Sequence, residues 1–213
     1  MGIVRMGPPE KLIQDLAGEF QINNFVETGT YYGATAKWAS TIFNHVFTIE
    51  NSVDIHTKVV NQYSDIKNID FIFGDSRTQL SKLTLKLKES TLFWLDAHWS
   101  GGLTYGQNDQ CPLLEEIAIV NSLKTDVYLF IDDARLFLSP PQPPHNFEQW
   151  PNITQLVNSI QYTLSNHYTV IIEDCVISVP LHAKSLVVAY CQDVNVKLWE
   201  EYGKKHNRPK KSM

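Results

Sequence analysis

The chain has 213 residues, 43% of them hydrophobic and 19% charged, and a formal net charge of −5. That is enough for one full-sized core and short for two, with the composition of an ordinary globular protein rather than a disordered or fibrous one. The acidic balance argues against a general nucleic-acid footprint, and no apolar run reaches the roughly 18 residues that would span a membrane.

Past a Pro-Pro start, Leu12, Ile13, Leu16, Ala17 and Phe20 recur at helical spacing, which predicts a helix over Glu10–Phe20. Strands and helices then alternate. Strands are expected at Asn24–Thr28, His45–Glu50, Ile69–Phe73, Thr91–Asp96 and Val127–Asp132. Helices are expected at Ala34–Phe43, Val53–Tyr63, Thr78–Lys88 and Leu113–Leu123. This alternation is the signature of a parallel sheet with right-handed crossovers. The pattern changes after Arg135. Ser139-Pro140-Pro141-Gln142-Pro143-Pro144 can neither continue a helix nor pair as a central strand, so it reads as a surface excursion. A helix over Asn152–Leu164 follows, and then closely spaced strands at Tyr168–Glu173, Val176–Val179 and Leu186–Tyr190, an antiparallel finish. The expected architecture is α/β and Rossmann-like: a mostly parallel seven-stranded sheet with helices on both faces and an antiparallel C-terminal hairpin. One domain over residues 1–203 is expected, with a basic, disordered tail over 204–213, since blocks of like charge repel.

Cys111, Cys175 and Cys191 cannot all pair within the chain and show no C-x-x-C spacing, so neither a disulfide framework nor a zinc site is expected. With no apolar N-terminal signal, this points to a reducing, cytoplasmic setting.

Two segments carry the chemistry. Phe93-Trp94-Leu95-Asp96-Ala97-His98-Trp99 and Leu129-Phe130-Ile131-Asp132-Asp133 each place carboxylates directly after a buried-strand pattern. A side chain at the C-terminal end of such a strand points into the crevice where open α/β sheets bind ligands. Upstream, Glu27-Thr28-Gly29-Thr30-Tyr31-Tyr32-Gly33 links the first strand to its helix, with glycines four apart. The dinucleotide fingerprint G-x-G-x-x-G is missing, which disfavours a nicotinamide-linked dehydrogenase. Taken alone, the loop is a turn with positive φ at Gly29 and close helix packing at Gly33. Glu50 ends the second strand, where an acid can accept hydrogen bonds from ribose hydroxyls. Gly74-Asp75-Ser76 ends the third. Each acid alone also reads as a helix cap or solvated turn, and Ser52 and Ser76 stand at N-cap positions.

In this order, Glu27-Thr28-Gly29-Thr30-x-x-Gly33, Ile49-Glu50, Gly74-Asp75-Ser76 and Trp94-Leu95-Asp96-Ala97-His98 resemble the motifs of class I S-adenosylmethionine-dependent methyltransferases. With Asp132-Asp133-Ala134-Arg135 they look like small-molecule O-methyltransferases of the macrocin O-methyltransferase-like and cephalosporin-hydroxylase-like set. The resemblance covers roughly residues 20 to 190. It implies a donor site in which Glu27, Thr28, Gly29, Thr30 and Gly33 shape the methionine side, Glu50 and Asn51 take the ribose, and Asp75 with Ser76 takes the adenine. Asp96 adjoins the same site. S-adenosylmethionine is the implied cofactor.

In such a sheet the fourth and fifth strands are neighbours, so Asp96, Asp132 and Asp133 would converge beside the sulfonium. Three carboxylates with water suit Mg²⁺, or alternatively Mn²⁺ or Ca²⁺. Asp96 and His98 are the candidate catalytic pair. An imidazole with an ordinary pKa near 6.5 suits a general base at neutral pH, and the alternative for His98 is a loop-capping or packing role against Trp99. His98, Trp99, Tyr105 and Arg135 are expected at the acceptor. Arg135 would hold an anionic group there, or else neutralise Asp132 or Asp133. The glycine-rich segment over residues 100–110 reads as a substrate lid or a plain connection, and the excursion over 138–151 as a wall of the acceptor pocket or an oligomer contact. Glu115 and Glu116 start a helix and read as structural. The expected function is transfer of a methyl group to a hydroxyl of a small molecule, with a sugar or glycoconjugate suggested by the resemblance. The alternatives are a metal-dependent hydroxylase-like enzyme on the same scaffold, or a donor-binding module without catalysis. Neither a nucleic-acid partner nor a membrane span is expected, and a homo-oligomer is compatible.

Overall fold

The computed structural model describes residues 7–101, 104 and 106–205. Five βα units come first: α1 (Glu10–Glu19), β1 (Asn24–Thr28), α2 (Ala34–Ala39), β2 (His45–Glu50), α3 (Val53–Gln62), β3 (Ile69–Phe73), α4 (Ser76–Thr84), β4 (Thr91–Leu95), α5 (Leu113–Val120) and β5 (Val127–Ile131). After them come a short α6 (Arg135–Leu138), α7 (Ile153–Thr163), β6 (His167–Ile172), β7 (Cys175–Pro180) and α8 (Lys184–Lys205). The seven strands form one sheet in the order β3-β2-β1-β4-β5-β7-β6. β1 to β5 pair in parallel, and β7 lies antiparallel between β5 and β6. This is the expected architecture.

The central strands are buried along their whole length because helices cover both faces. Alternation along β4 splits the core. Leu92 and Trp94 join the layer under α1, α2 and α8, whereas Phe93 and Leu95 join the layer under α4, α5 and α7. Each fully buried Leu or Phe here contributes about 1.5–3 kcal/mol of transfer free energy.

Three expectations change. The strand predicted at Leu186–Tyr190 is helical, part of α8. Its apolar run fits a strand or a helix equally well by pattern, and β7 has already filled the sheet position beside β5. Burial of Val187 and Cys191, four apart, shows that the helical period wins. The helices α2, α4 and α5 end earlier than predicted, because their last turns close with i→i+3 bonds such as Thr41 N–H to the Trp38 carbonyl. Ser76 is the first residue of α4 rather than its cap, since Asp75 accepts the Thr78 N–H at 3.2 Å. At the other end of the chain, Lys204 and Lys205 belong to the last turn of α8, and the rest of the basic tail lies outside the described residues. Among the described residues no helix is long and apolar enough to cross a membrane.

Candidate active site

The C-terminal ends of β1 to β5 converge on one cleft of about 330 Å³. Gly29 from β1, Glu50 and Asn51 from β2, and Asp75, Ser76 and Arg77 past β3 line one side. Asp96 and His98 past β4 with Asp132 and Asp133 past β5 line the other. Such a crevice beyond the strand ends is where parallel α/β sheets place their ligands.

Backbone approach shapes the first side. Gly29 has φ +84°, and a Cβ there would run into the carbonyl of Asp96, so only glycine lets the loop cross β4 this closely. Gly33, at φ +73°, caps α2 and abuts the ring of Tyr63. Gly29 and Thr30 both donate to the Ile49 carbonyl, at 2.9 and 3.2 Å, which pins the loop to β2. Glu50 completes the tie: its carboxylate accepts the Tyr31 N–H at 3.0 Å and the Ser52 N–H at 2.7 Å. Beneath the loop, Glu27 is buried and accepts the Thr48 hydroxyl at 2.5 Å, while Thr48 pairs with Thr30 at 2.6 Å. Burial pushes the Glu27 carboxyl up to about 8, against the opposing hydrogen bonds from Thr48 and Thr35. Glu27, Thr28, Thr30 and Gly33 thus support the cleft from below, whereas Gly29, Glu50 and Asn51 face it.

Asp75 is held by Arg77 through two hydrogen bonds, at 3.3 and 2.8 Å, and these hold its carboxyl below the usual range. Arg77 also donates to Asp109 at 2.6 Å, tying the start of α4 to the loop that follows β4. Nothing in the sequence pattern singled out Arg77.

The other side is electrostatically unlike the first. Desolvation, and then the charges of Asp132 and Asp133, push the Asp96 carboxyl well above its usual range. Asp132 rises to about 6, from burial first and the Asp133 charge second. Asp133 goes the other way. Burial opposes its charge, but His98 and Arg135 outweigh it and hold the carboxyl below its usual range. One Asp133 oxygen takes Arg135 and the other takes His98 Nε2 at 3.0 Å. The remaining ring nitrogen, Nδ1, lies 3.4 Å from Asp96. Both nitrogens of His98 are therefore turned to carboxylates, on a side chain only 7% exposed.

Arg135 forms an ion pair with Asp133. Trp99 is buried and stacks edge-on against His145, so its indole does not line the cleft. Tyr105 lies outside the described residues. The Pro-rich excursion packs behind His98: Trp150 meets the imidazole edge-on at 5.3 Å, and its Nε1–H donates to Gln110 at 2.9 Å. Gln110 also accepts the Asn146 N–H at 2.9 Å, so this residue ties the excursion to the segment just before α5. Among the described residues, no group of three or more His, Cys, Asp or Glu side chains stands in position to hold a metal ion.

Glu116 was expected to be structural, yet it lies buried beneath the cleft. Burial pushes its carboxyl up to about 7, with Ser76 and Thr28 opposing, and its Oε1 has no hydrogen-bond partner among the described residues. Glu115 beside it is exposed, with one oxygen 3.9 Å from Arg77.

No family model matches the sequence, and no curated protein does. Solved structures do share its fold. The O-methyltransferase TomG from Streptomyces achromogenes, in complex with SAM, superposes with a TM-score of 0.57 at 12% identity, over 84% of this chain and 82% of its own. The methyltransferase PaMTH1 from Podospora anserina, bound to SAH, gives 0.54 at 14% identity over 80% and 77%. An O-methyltransferase from Bacillus cereus, in complex with SAH, gives 0.51 at 13% identity over 82% of each chain. With the strand order and the cleft at the strand ends, these likenesses identify the fold of this chain as that of the class I S-adenosylmethionine-dependent methyltransferases.

Proposed function

We propose that the protein is an S-adenosylmethionine-dependent O-methyltransferase acting on a hydroxyl of a small molecule. The observation that carries this reading is the continuity of one cleft from Glu50 and Asp75 to Asp96 and Asp132. The first pair offers acceptor oxygens suited to ribose hydroxyls and an adenine amino group. The second offers carboxylates of raised proton affinity at the place where a sulfonium methyl would be delivered.

The sequence makes His98 the first candidate for the base. What supports Asp96 instead is that both His98 nitrogens already face carboxylates. In this mechanism Asp96 accepts the hydroxyl proton as the oxygen attacks the methyl carbon in line. The O–CH₃ bond forms as the S–CH₃ bond breaks, its electron pair returns to sulfur, and the donor leaves as a neutral thioether. Burial and the neighbouring carboxylates raise the proton affinity of the Asp96 carboxylate, which favours that transfer. His98 supports Asp96 from Nδ1.

Divalent-metal assistance is a second form of the proposal, in which Asp96 is a ligand rather than the proton acceptor, with a smaller donor set than the three aspartates first expected. Mg²⁺ keeps several waters and uses one or two carboxylates. Asp96 and Asp132 fit it, because their charges repel across the cleft floor and a cation would relieve that, whereas Asp133 is engaged on both oxygens. Bound there, the cation would acidify the acceptor hydroxyl. A sugar or glycoconjugate is the acceptor class to screen first, on the resemblance to macrocin-type enzymes.

Calorimetry tests the reading directly. S-adenosylmethionine should bind at tens of micromolar or tighter (about −6 kcal/mol or better) while NAD does not. The reverse would sink the proposal. Given donor binding, Asp132→Ala should abolish turnover and the response to Mg²⁺ while sparing donor affinity.

A further inference from the structure

The hairpin between β6 and β7 is made of residues that its geometry disfavours. Its two loop residues, Glu173 and Asp174, have φ of +50° and +64°. A two-residue loop of that kind is normally Asn-Gly, because L side chains are strained at positive φ. Asp174 stays there with a side chain only 4% exposed, and its groups are fully used. Its carbonyl accepts the Ala134 N–H at 2.8 Å, one carboxylate oxygen accepts the Arg135 N–H at 2.8 Å, and the other takes the Arg135 guanidinium.

From Arg135 the chain of contacts continues inward. The same guanidinium nitrogen bonds Asp133, which is itself at φ +57°. Asp133 bonds His98 Nε2, and His98 Nδ1 faces Asp96. Acid, base, acid, imidazole and acid alternate from the hairpin to the end of β4. Two of the five sit at positive φ, a strain that persists only where surrounding contacts over-determine the geometry.

We propose that Asp174 is a positioning residue that holds the His98–Asp96 pair in place through Arg135 and Asp133. The inference rests on the reading of Asp96 as the group that takes the acceptor proton. Without the Asp174 charge, Arg135 loses one of its two anchors. Its guanidinium is then free to leave Asp133, or to swing towards Asp132 in the cleft. Asp133 would then bond His98 with nothing fixing its own rotamer.

The substitution Asp174→Asn isolates this role. Asn accepts left-handed backbone at least as well as Asp, and its amide oxygen can still take the Arg135 N–H, so the turn survives while the charge is lost. The readout is the His98 ring in ¹⁵N-histidine-labelled full-length protein, assigned by difference from His98→Gln. The wild type should show a protected Nε2–H. In Asp174→Asn its exchange should speed up by about tenfold or more, the scale set by losing a charge-assisted hydrogen bond. S-adenosylmethionine affinity should stay unchanged, while the unfolding temperature should fall, since a buried ion pair loses one partner. Arg135→Gln removes the charge that joins the two carboxylates, so it should do the same and decides the matter if the first variant folds poorly. An Nε2–H equally protected in both variants overturns the proposal. Failure of the wild type to bind S-adenosylmethionine would instead overturn the functional reading, and the His98 measurement would still stand by itself.

Discussion

The two sides of the cleft are both acidic, yet they treat their acids in opposite ways. On the β2–β3 side, Glu50 is satisfied by two backbone N–H groups and Asp75 by Arg77 and a helix N-terminus. On the β4–β5 side, Asp96 and Asp132 lose solvent and lie against further carboxylates, Asp132 and Asp133 for the first and Asp133 for the second, so their proton affinity rises. Satisfied carboxylates act as fixed acceptors, which suits recognition. Crowded ones gain by taking a proton or a cation, which suits chemistry. On the proposed reading the difference between the sides follows from the partners, since all four groups are carboxylates.

The sharpest break of that comparison is Asp96→Asn. If the crowded side performs the chemistry, turnover should fall by about 10²–10⁴-fold, the usual worth of general-base catalysis. Donor affinity by calorimetry should barely move. A variant that instead loses the donor and keeps residual turnover would merge the two sides into one recognition surface. Glu50→Gln probes the satisfied side and should do the converse. It keeps one acceptor oxygen and loses the charge, so donor affinity should drop by roughly 10–100-fold, about 1.5–3 kcal/mol for a hydrogen bond to a charged group. The maximal rate at saturating donor should be retained.

The satisfied side was the more legible in the sequence. Gly29, Glu50 and Asp75 follow strands in a fixed order, and the structure brings Gly29 against Asp96 and Glu50 and Asp75 to the rim of one cleft. The five βα units were equally legible, because strand and helix periods alternate without ambiguity. Leu186–Tyr190 was not, since a short apolar run serves either period and only the filled sheet position decides it. On the crowded side, the convergence of Asp96 with Asp132 and Asp133 could be foreseen from neighbouring strands. The capture of Asp133 by Arg135 and His98 could not. It depends on Asp174, 39 positions from Arg135, and on left-handed backbone at Asp133 that no pattern announces. Glu116 was hidden for a different reason. An acid in the first turn of a helix already has a sufficient explanation in the helix dipole, so its burial leaves no trace in the sequence.

Glu116 lies under the seam between the two sides, beneath Thr28 and Ser76 and one helix away from β4, and it yields the smallest of the expected effects. Its carboxyl has an ordinary value of 4.5 in the unfolded chain and about 7 when folded. Between those values the unfolded chain releases the proton while the folded chain keeps it. The unfolded state therefore binds fewer protons, and stability falls as pH rises through that window. Below about 4.5 both states are protonated and nothing is lost; above about 7 the full cost is present. Glu116→Gln removes the titration. The stability of the variant relative to wild type should thus shift in its favour by on the order of 2 kcal/mol between pH 5 and pH 8. For a chain of this size that is roughly 4–8 °C in relative unfolding temperature. Taking the difference between two pH values cancels whatever the amide costs by itself in a buried site. A flat difference would mean that the Glu116 carboxylate is already ionised and paired beneath the seam. The satisfied character of the β2–β3 side would then extend under Asp96, and the contrast between the two sides would be confined to the cleft surface.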